Sequence, residues 1–207
     1  MDKNNLINEF NFLPLRYIHP SWLKTVFGGK YIEEMRSCSR TEYRLSQYLL
    51  SYFELENDYC FDFTNQVNTI ALLDESKLSE IVRYAGLVIN SEQIKKNIAR
   101  EDIVQLKNQI GEKAYLFALK RAPFMGTIPD FPSHEYKSEN LLTNIRISGA
   151  QCLAALFSDN TAMLKRVFFK FPIIWKPYSQ LSTLLISKEH NTASSLLVRI
   201  QAELDIA

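Results

Sequence analysis

Residues 74–91 read DESKLSEIVRYAGLVINS, and their spacing decides the fold. Leu78, Ile81, Val82, Ala85 and Ile89 recur at the three- and four-residue intervals that line one face of a helix. Asp74 ahead of the run and Asn90 with Ser91 behind it mark its ends. Gly86 interrupts it. A glycine inside a helix costs about 1 kcal/mol against alanine, so its place here predicts the close approach of a neighbouring helix.

The same period recurs on both sides of this segment. Between Ser39 and Glu56, Leu45, Tyr48, Leu49, Tyr52 and Phe53 share a face, and Ser39 with Glu42 reads as a capping box. Residues 91–122 read as three short helices carrying Ile94 and Ile98, then Ile103, Leu106 and Ile110, then Tyr115, Ala118, Leu119 and Ala122, with Gly111 and Pro123 as stops. Leu142, Ile145, Gly149, Cys152, Leu153 and Leu156 form a further stripe. Leu164, Val167, Phe168 and Phe171 form another between Asp159 and Pro172. Leu181, Leu184 and Leu185 head a helix, and Leu196, Leu197, Ile200 and Leu204 lie on the last. Between Pro123 and Asn140 three prolines, one glycine and no period predict a loop. The expectation is an all-α fold without a large sheet, one compact domain over 1–207 with about eight to ten mostly short helices. Its alternative form has two packed lobes, 1–122 and 141–207, joined by the loop 123–140.

Composition agrees and excludes several classes of function. The 207 residues include 46% apolar and 23% charged side chains, enough of each for a folded core. Six Gly and seven Pro leave few tight turns for an all-β chain. With 24 Lys plus Arg against 23 Asp plus Glu, the net charge is +1, too small a field to gather nucleic acid or anionic lipid. The first 15 residues lack the apolar run of a secretory signal, and no stretch approaches the roughly 20 apolar residues that span a bilayer. A soluble cytosolic chain is expected. Cys38, Cys60 and Cys152 are odd in number and widely spaced, which predicts free thiols, with Cys152 a small core residue.

No arrangement of catalytic groups is written in the sequence. His19, His134 and His190 are dispersed, and there is no HExxH and no cluster of Cys with His, so no metal or cofactor is expected. Gly28 and Gly29 before Lys30 read as a helix C-cap rather than a phosphate loop, because the upstream glycine is missing and Tyr31 stands where a Ser or Thr belongs. Neighbouring carboxylates such as Glu33 with Glu34, Asp74 with Glu75 and Glu101 with Asp102 point apart on a helix and do not converge. Lys95, Lys96 and Arg100 make a small positive face bordered by Glu92, Glu101 and Asp102, a solvated surface or the contact for an acidic protein partner. Thirteen Phe, ten Tyr and two Trp are a surplus that serves cores and interfaces alike. The segment FNFLPLRYIHPSW, Phe10 to Trp22, concentrates four of them beside two prolines, and is expected to pack against the helical body, with docking in a partner's groove as the rival reading.

Four segments in order resemble a known family. LRYIHPSWL, Leu15 to Leu23, resembles the start of the SctK proteins of type III secretion (the YscK, PscK and OrgA group). VRYAGLVINSEQIKKNIA at 82–99, IVQLKNQIGEKAYLFALKRAP at 103–123 and ISGAQCLAALF at 147–157 are similar to later parts of the same family. Residues 38–65 carry no matching motif. The resemblance implies a non-enzymatic adaptor of the sorting platform beneath the injectisome, needed for protein secretion, in the bacterial cytoplasm at the inner face of the inner membrane. It would link an inner-membrane ring protein of the SctD class to a pod protein of the SctQ class, with the SctL/SctN-class ATPase complex as an indirect partner. Tyr17, His19, Pro20 and Trp22 are the matched motif residues; Lys95, Lys96 and Arg100 are the surface candidates. The competing readings are a chaperone or regulator that binds secretion substrates, and a helical enzyme with an apolar pocket.

Overall fold

The computed structural model describes residues 2–96, 100–131, 140–179 and 188–204. Among them all regular structure is helical, with no strand, and no helix is long and apolar enough to cross a membrane. In chain order the helices are α1 (Lys3–Phe12), α2 (Pro14–Tyr17), α3 (Pro20–Leu23), α4 (Gly29–Glu34), α5 (Ser39–Tyr52), α6 (Gln66–Thr69) and α7 (Glu75–Ile89). Then follow α8 (Ser91–Lys96), α9 (Arg100–Ile110), α10 (Glu112–Lys120), α11 (Leu141–Leu156), α12 (Thr161–Phe169), α13 (Lys176–Ser179) and α14 (His190–Glu203). Pro14 and Pro20 each occupy a first helical turn, where the missing N–H has no intrahelical partner to lose. Asn65, Asn140 and Asn160 cap α6, α11 and α12 with their side-chain oxygens.

The chain divides into two compact units, Met1–Glu75 with Asn160–Ser179 and Ser76–Asp159 with Gln180–Ala207. The division follows packing and not chain order, and its boundaries lie outside the loop 123–140. Of that loop 132–139, with His134, lie outside the described residues, as do Ile98 and the helix headed by Leu181, Leu184 and Leu185.

The first unit has an aromatic core. Phe10 meets Phe63 edge-on at 5.8 Å and stacks near Tyr17 at 5.9 Å. Trp22 packs edge-on against Phe169 at 5.0 Å and Phe53 at 6.0 Å. One side of the FNFLPLRYIHPSW segment is thus interior, with Phe10, Leu15, Ile18 and Trp22 buried. α5 turns a different face inward than its spacing predicts: Ser46, Leu49 and Leu50 are buried, whereas Tyr48 and Tyr52 stay exposed. Tyrosine fits this arrangement because its hydroxyl finds a surface carbonyl. The capping box is also absent. Cys38 holds the N-cap position without a side-chain cap, and Glu42 is turned to Arg16 at 2.6 Å. Gly28 and Gly29 open α4 instead of closing a helix. Gly28 is left-handed at φ 71°, and a Cβ on Gly29 would overlap the Leu23 carbonyl.

The second unit is built on aliphatic and small residues. The close approach expected at Gly86 is present: a Cβ there would overlap the carbonyl of Ile145, and one on Gly149 that of Val82. α7 and α11 therefore touch backbone to backbone at a reciprocal pair of glycines. From Ile147 to Leu156, α11 is buried on every side and not along one stripe, because Ser148, Ala150, Ala154 and Ala155 are small enough for neighbours to close over them. Cys152 is fully buried within it. α14 lies against α11, and Arg199 reaches from α14 to the Met125 carbonyl at 3.0 Å.

Candidate functional site

The family-like motif at 17–22 forms a polar knot in the first unit. His19 follows extended geometry into Pro20, and its Nδ1 accepts from the Ser21 N–H at 3.1 Å, capping α3. The backbone N–H of His19 donates to the Phe169 carbonyl at 2.7 Å. Trp22 Nε1–H donates to the Phe171 carbonyl at 2.8 Å, and Ser21 Oγ accepts from the Ile173 N–H at 2.8 Å. Three points of the motif thus hold the end of α12 and the backbone that follows it. Tyr17 donates its hydroxyl proton to the Phe10 carbonyl at 2.7 Å, and burial holds that hydroxyl above its ordinary pKa. Pro20 is exposed at the start of α3. The structure brings Tyr17, His19, Pro20 and Trp22 together as a joint between distant parts of the sequence. Each polar atom named, the His19 Nδ1 included, is engaged by a backbone group, which fits them to hold shape and not to perform chemistry.

Beside the knot lie two buried cations that the sequence reading missed. Arg166 and Lys170 stand one turn apart on the inner side of α12 and its last turn, and are 0% and 4% exposed. Arg166 donates to the Leu55 carbonyl at 3.1 Å and has its guanidinium 5.9 Å from the Tyr59 ring centre. Lys170 donates to the carbonyls of Ala71 at 2.7 Å and Leu73 at 2.5 Å. Its ammonium sits 5.5 Å from the ring centres of both Phe10 and Tyr17. Burial lowers its pKa from the ordinary 10.5 to about 7, against the opposing pull of Asp74 and Glu9. The irregular segment after α5 is pinned in the same manner: Asn11 exchanges two hydrogen bonds of 2.7 Å with the backbone of Cys60, and Lys3 donates to the Phe63 carbonyl at 2.7 Å. The segment 38–65, which carries no family-like motif, is thereby integral to the first unit. No local pattern announces such residues, since their acceptors are backbone carbonyls that any residue supplies.

The three surface cations of the second unit have different surroundings. Lys95 pairs with Glu92 at 2.8 Å, one turn away on α8. Lys96 lines a cleft of about 670 Å³ with Gln93, Asp130, Ser148 and Gln151. Arg100 is exposed at the start of α9. Lys95 is thus the solvated ion pair expected of a helix surface, whereas Lys96 borders a concave polar space.

Among the described residues no three His, Cys, Asp or Glu side chains gather where a metal ion could bind. His190 offers its ring to the Ala155 carbonyl at 3.1 Å, and the three cysteines are free thiols, Cys60 and Cys152 buried and Cys38 exposed.

Comparison with known proteins gives one relationship. The family described as "YOP proteins translocation protein K (YscK)" matches residues 7–205, nearly the whole chain. No match was found among curated proteins or among solved structures.

Proposed function

The chain belongs to the YscK family of type III secretion proteins, and from that premise we propose that it is a non-enzymatic adaptor of the secretion sorting platform. It works in the bacterial cytoplasm at the inner face of the inner membrane. One of its contacts is the cytoplasmic domain of the SctD-class ring protein, the other is the SctQ-class pod protein, and the SctL/SctN-class ATPase complex is reached indirectly. No nucleic acid, inserted membrane segment or cofactor takes part.

The observation that carries this reading is the family match over 7–205, which relates the chain to a protein of the secretion apparatus. The interior is in keeping with it. In the first unit the motif's Tyr17 and Trp22 and the buried Arg166 and Lys170 are committed to backbone carbonyls, so what the unit presents outward is shape and charge. Interfaces of that kind draw their energy from a few aromatic and apolar anchors inside a polar rim.

Deleting the protein should stop secretion while both partners remain expressed. Pull-down with the purified full chain should recover the ring protein's cytoplasmic domain and the pod protein. Recovery of neither, together with a dimeric chain that co-purifies with a secreted substrate, would replace the adaptor by the chaperone reading.

A further inference from the structure

One surface of the first unit displays aromatic side chains on a supported turn. Phe27 is 88% exposed, at the tip of the turn between α3 and α4. A freely moving loop would explain such exposure, but this turn is held from below and beside. Val26 and Ile32 on either side are buried, Gly28 takes the left-handed geometry, and the Gly29 N–H returns to the Val26 carbonyl at 3.0 Å. Two tyrosines of α5 complete the support. Tyr48 donates to the Phe27 carbonyl at 3.2 Å, and Tyr52 donates to the Thr25 carbonyl at 2.6 Å. Their rings stand 6.3 Å apart and are themselves about two-fifths exposed. A phenylalanine is thus displayed on a braced platform of two tyrosines, an order already established before any partner arrives.

The exposed parts of Phe27, Tyr48 and Tyr52 together amount to about 350 Å² of aromatic surface, taking roughly 200 Å² for a whole side chain. That is close to half of the roughly 800 Å² each partner contributes to a stable interface, and as large as the largest apolar patch on many monomers. Around it stand four cations. Arg40 and Arg44 precede Tyr48 and Tyr52 along one side of α5 at four-residue steps, and Lys24 and Lys30 flank the turn. All four are exposed, and none makes an ion pair among the described residues. The carboxylates on these elements are partly engaged, Glu33 by Arg36 at 3.9 Å and Glu42 by Arg16 at 2.6 Å, which leaves Glu34 and, past the end of α5, Glu54.

We infer that this face is a docking surface for a protein partner whose complementary surface is acidic around an apolar recess. Phe27 enters the recess, Tyr48 and Tyr52 cover its wall, and Lys24, Lys30, Arg40 and Arg44 meet the carboxylates. Aromatic and arginine side chains in one place are the composition of an interface hot spot, and a rim in which four exposed cations outnumber the two remaining carboxylates sets the sign of the partner and speeds encounter. The inference rests on the adaptor reading, and assigns to one of its two contacts a place on the first unit.

The test is titration calorimetry and stopped-flow binding of the full chain against the purified ring-protein cytoplasmic domain and pod protein. Phe27→Ser removes an exposed ring, and its melting curve should coincide with that of the parent chain. It should weaken one of the two complexes about thirtyfold, the scale of a hot-spot residue. Arg40→Glu with Arg44→Glu should slow association of the same complex and reverse its dependence on ionic strength. Phe124→Ser, which removes a ring 83% exposed in the second unit, should leave that complex unchanged. Binding of the parent chain with no loss in either variant overturns the docking face and leaves the adaptor reading standing. Loss of self-association in Phe27→Ser with both complexes intact would make the face a contact between copies, and also overturns it. A parent chain that binds neither protein removes the adaptor reading and this inference together.

Discussion

Replacing Lys170 by methionine tests the energetics of the buried cation directly. The side chain is 4% exposed, and burial brings its pKa down to about 7 from 10.5. At about 1.36 kcal/mol per pKa unit, that gap corresponds to about 5 kcal/mol of differential stability. Between pH 7 and 10.5 the unfolded chain keeps this proton while the folded chain releases it, so the unfolded state binds more protons and stability rises with pH. Below pH 7 both states are charged and the contribution is flat. Lys170→Met removes the buried charge but strands the carbonyls of Ala71 and Leu73, at about 1–3 kcal/mol each. The two changes nearly cancel near pH 6, and the variant falls progressively behind the parent chain as pH climbs. Tyr17, Cys60 and Cys152, whose pKa values burial raises, titrate in both proteins and drop out of the difference. Urea unfolding of both proteins from pH 6 to 10, followed by far-ultraviolet circular dichroism, reads it. A difference in unfolding free energy that stays constant across that range would refute the reasoning.

Three further outcomes follow from other parts of the structure. Gly86→Ala and Gly149→Ala, which in an unconstrained helix would add about 1 kcal/mol, should each destabilise by more than about 2 kcal/mol because the added carbon meets backbone of the crossing helix; chemical denaturation of either variant showing a gain would contradict the crossing. Trp22→Ala should cost about 3–5 kcal/mol through the cavity left beside Phe53 and Phe169 and the stranded Phe171 carbonyl, and an unchanged urea midpoint would show the knot to be ornamental. Cys38 is exposed, and the Thr41 side chain with the N–H groups of Arg40 and Thr41 lowers its thiol pKa. Iodoacetamide near pH 8 should label it in the native chain, with Cys60 and Cys152 reacting only after denaturation, as intact-mass spectrometry would record.

The helices legible in the sequence are those whose apolar residues repeat at helical intervals between clear stops. α7 is one, and the glycine that breaks its pattern is where a second helix crosses it. Cys152 sits in the core as its stripe implies. What could not be read off is decided by partners far along the chain. Tyr48 and Tyr52 count as apolar in a periodicity, yet a hydroxyl that reaches a neighbouring carbonyl lets the ring remain outside. Arg166 and Lys170 count as surface residues in any composition, yet carbonyls and aromatic rings supplied by residues some hundred positions away receive them. The motif at Tyr17, His19, Pro20 and Trp22 is visible as a string, but its purpose is written in Phe169, Phe171 and Ile173, which carry no matching string of their own.

The interleaved order of the two units sets a timetable for synthesis. Residues up to Glu75 leave the ribosome first, but the helix that closes their core starts only at Thr161. At about 5–20 residues per second, the interval is on the order of 4–17 s, during which the rings of Phe10, Trp22 and Phe53 have no lid and Arg166 and Lys170 do not yet exist. A nascent chain of this design is open to capture, by a chaperone or by its eventual assembly partner, for far longer than its finished form would suggest.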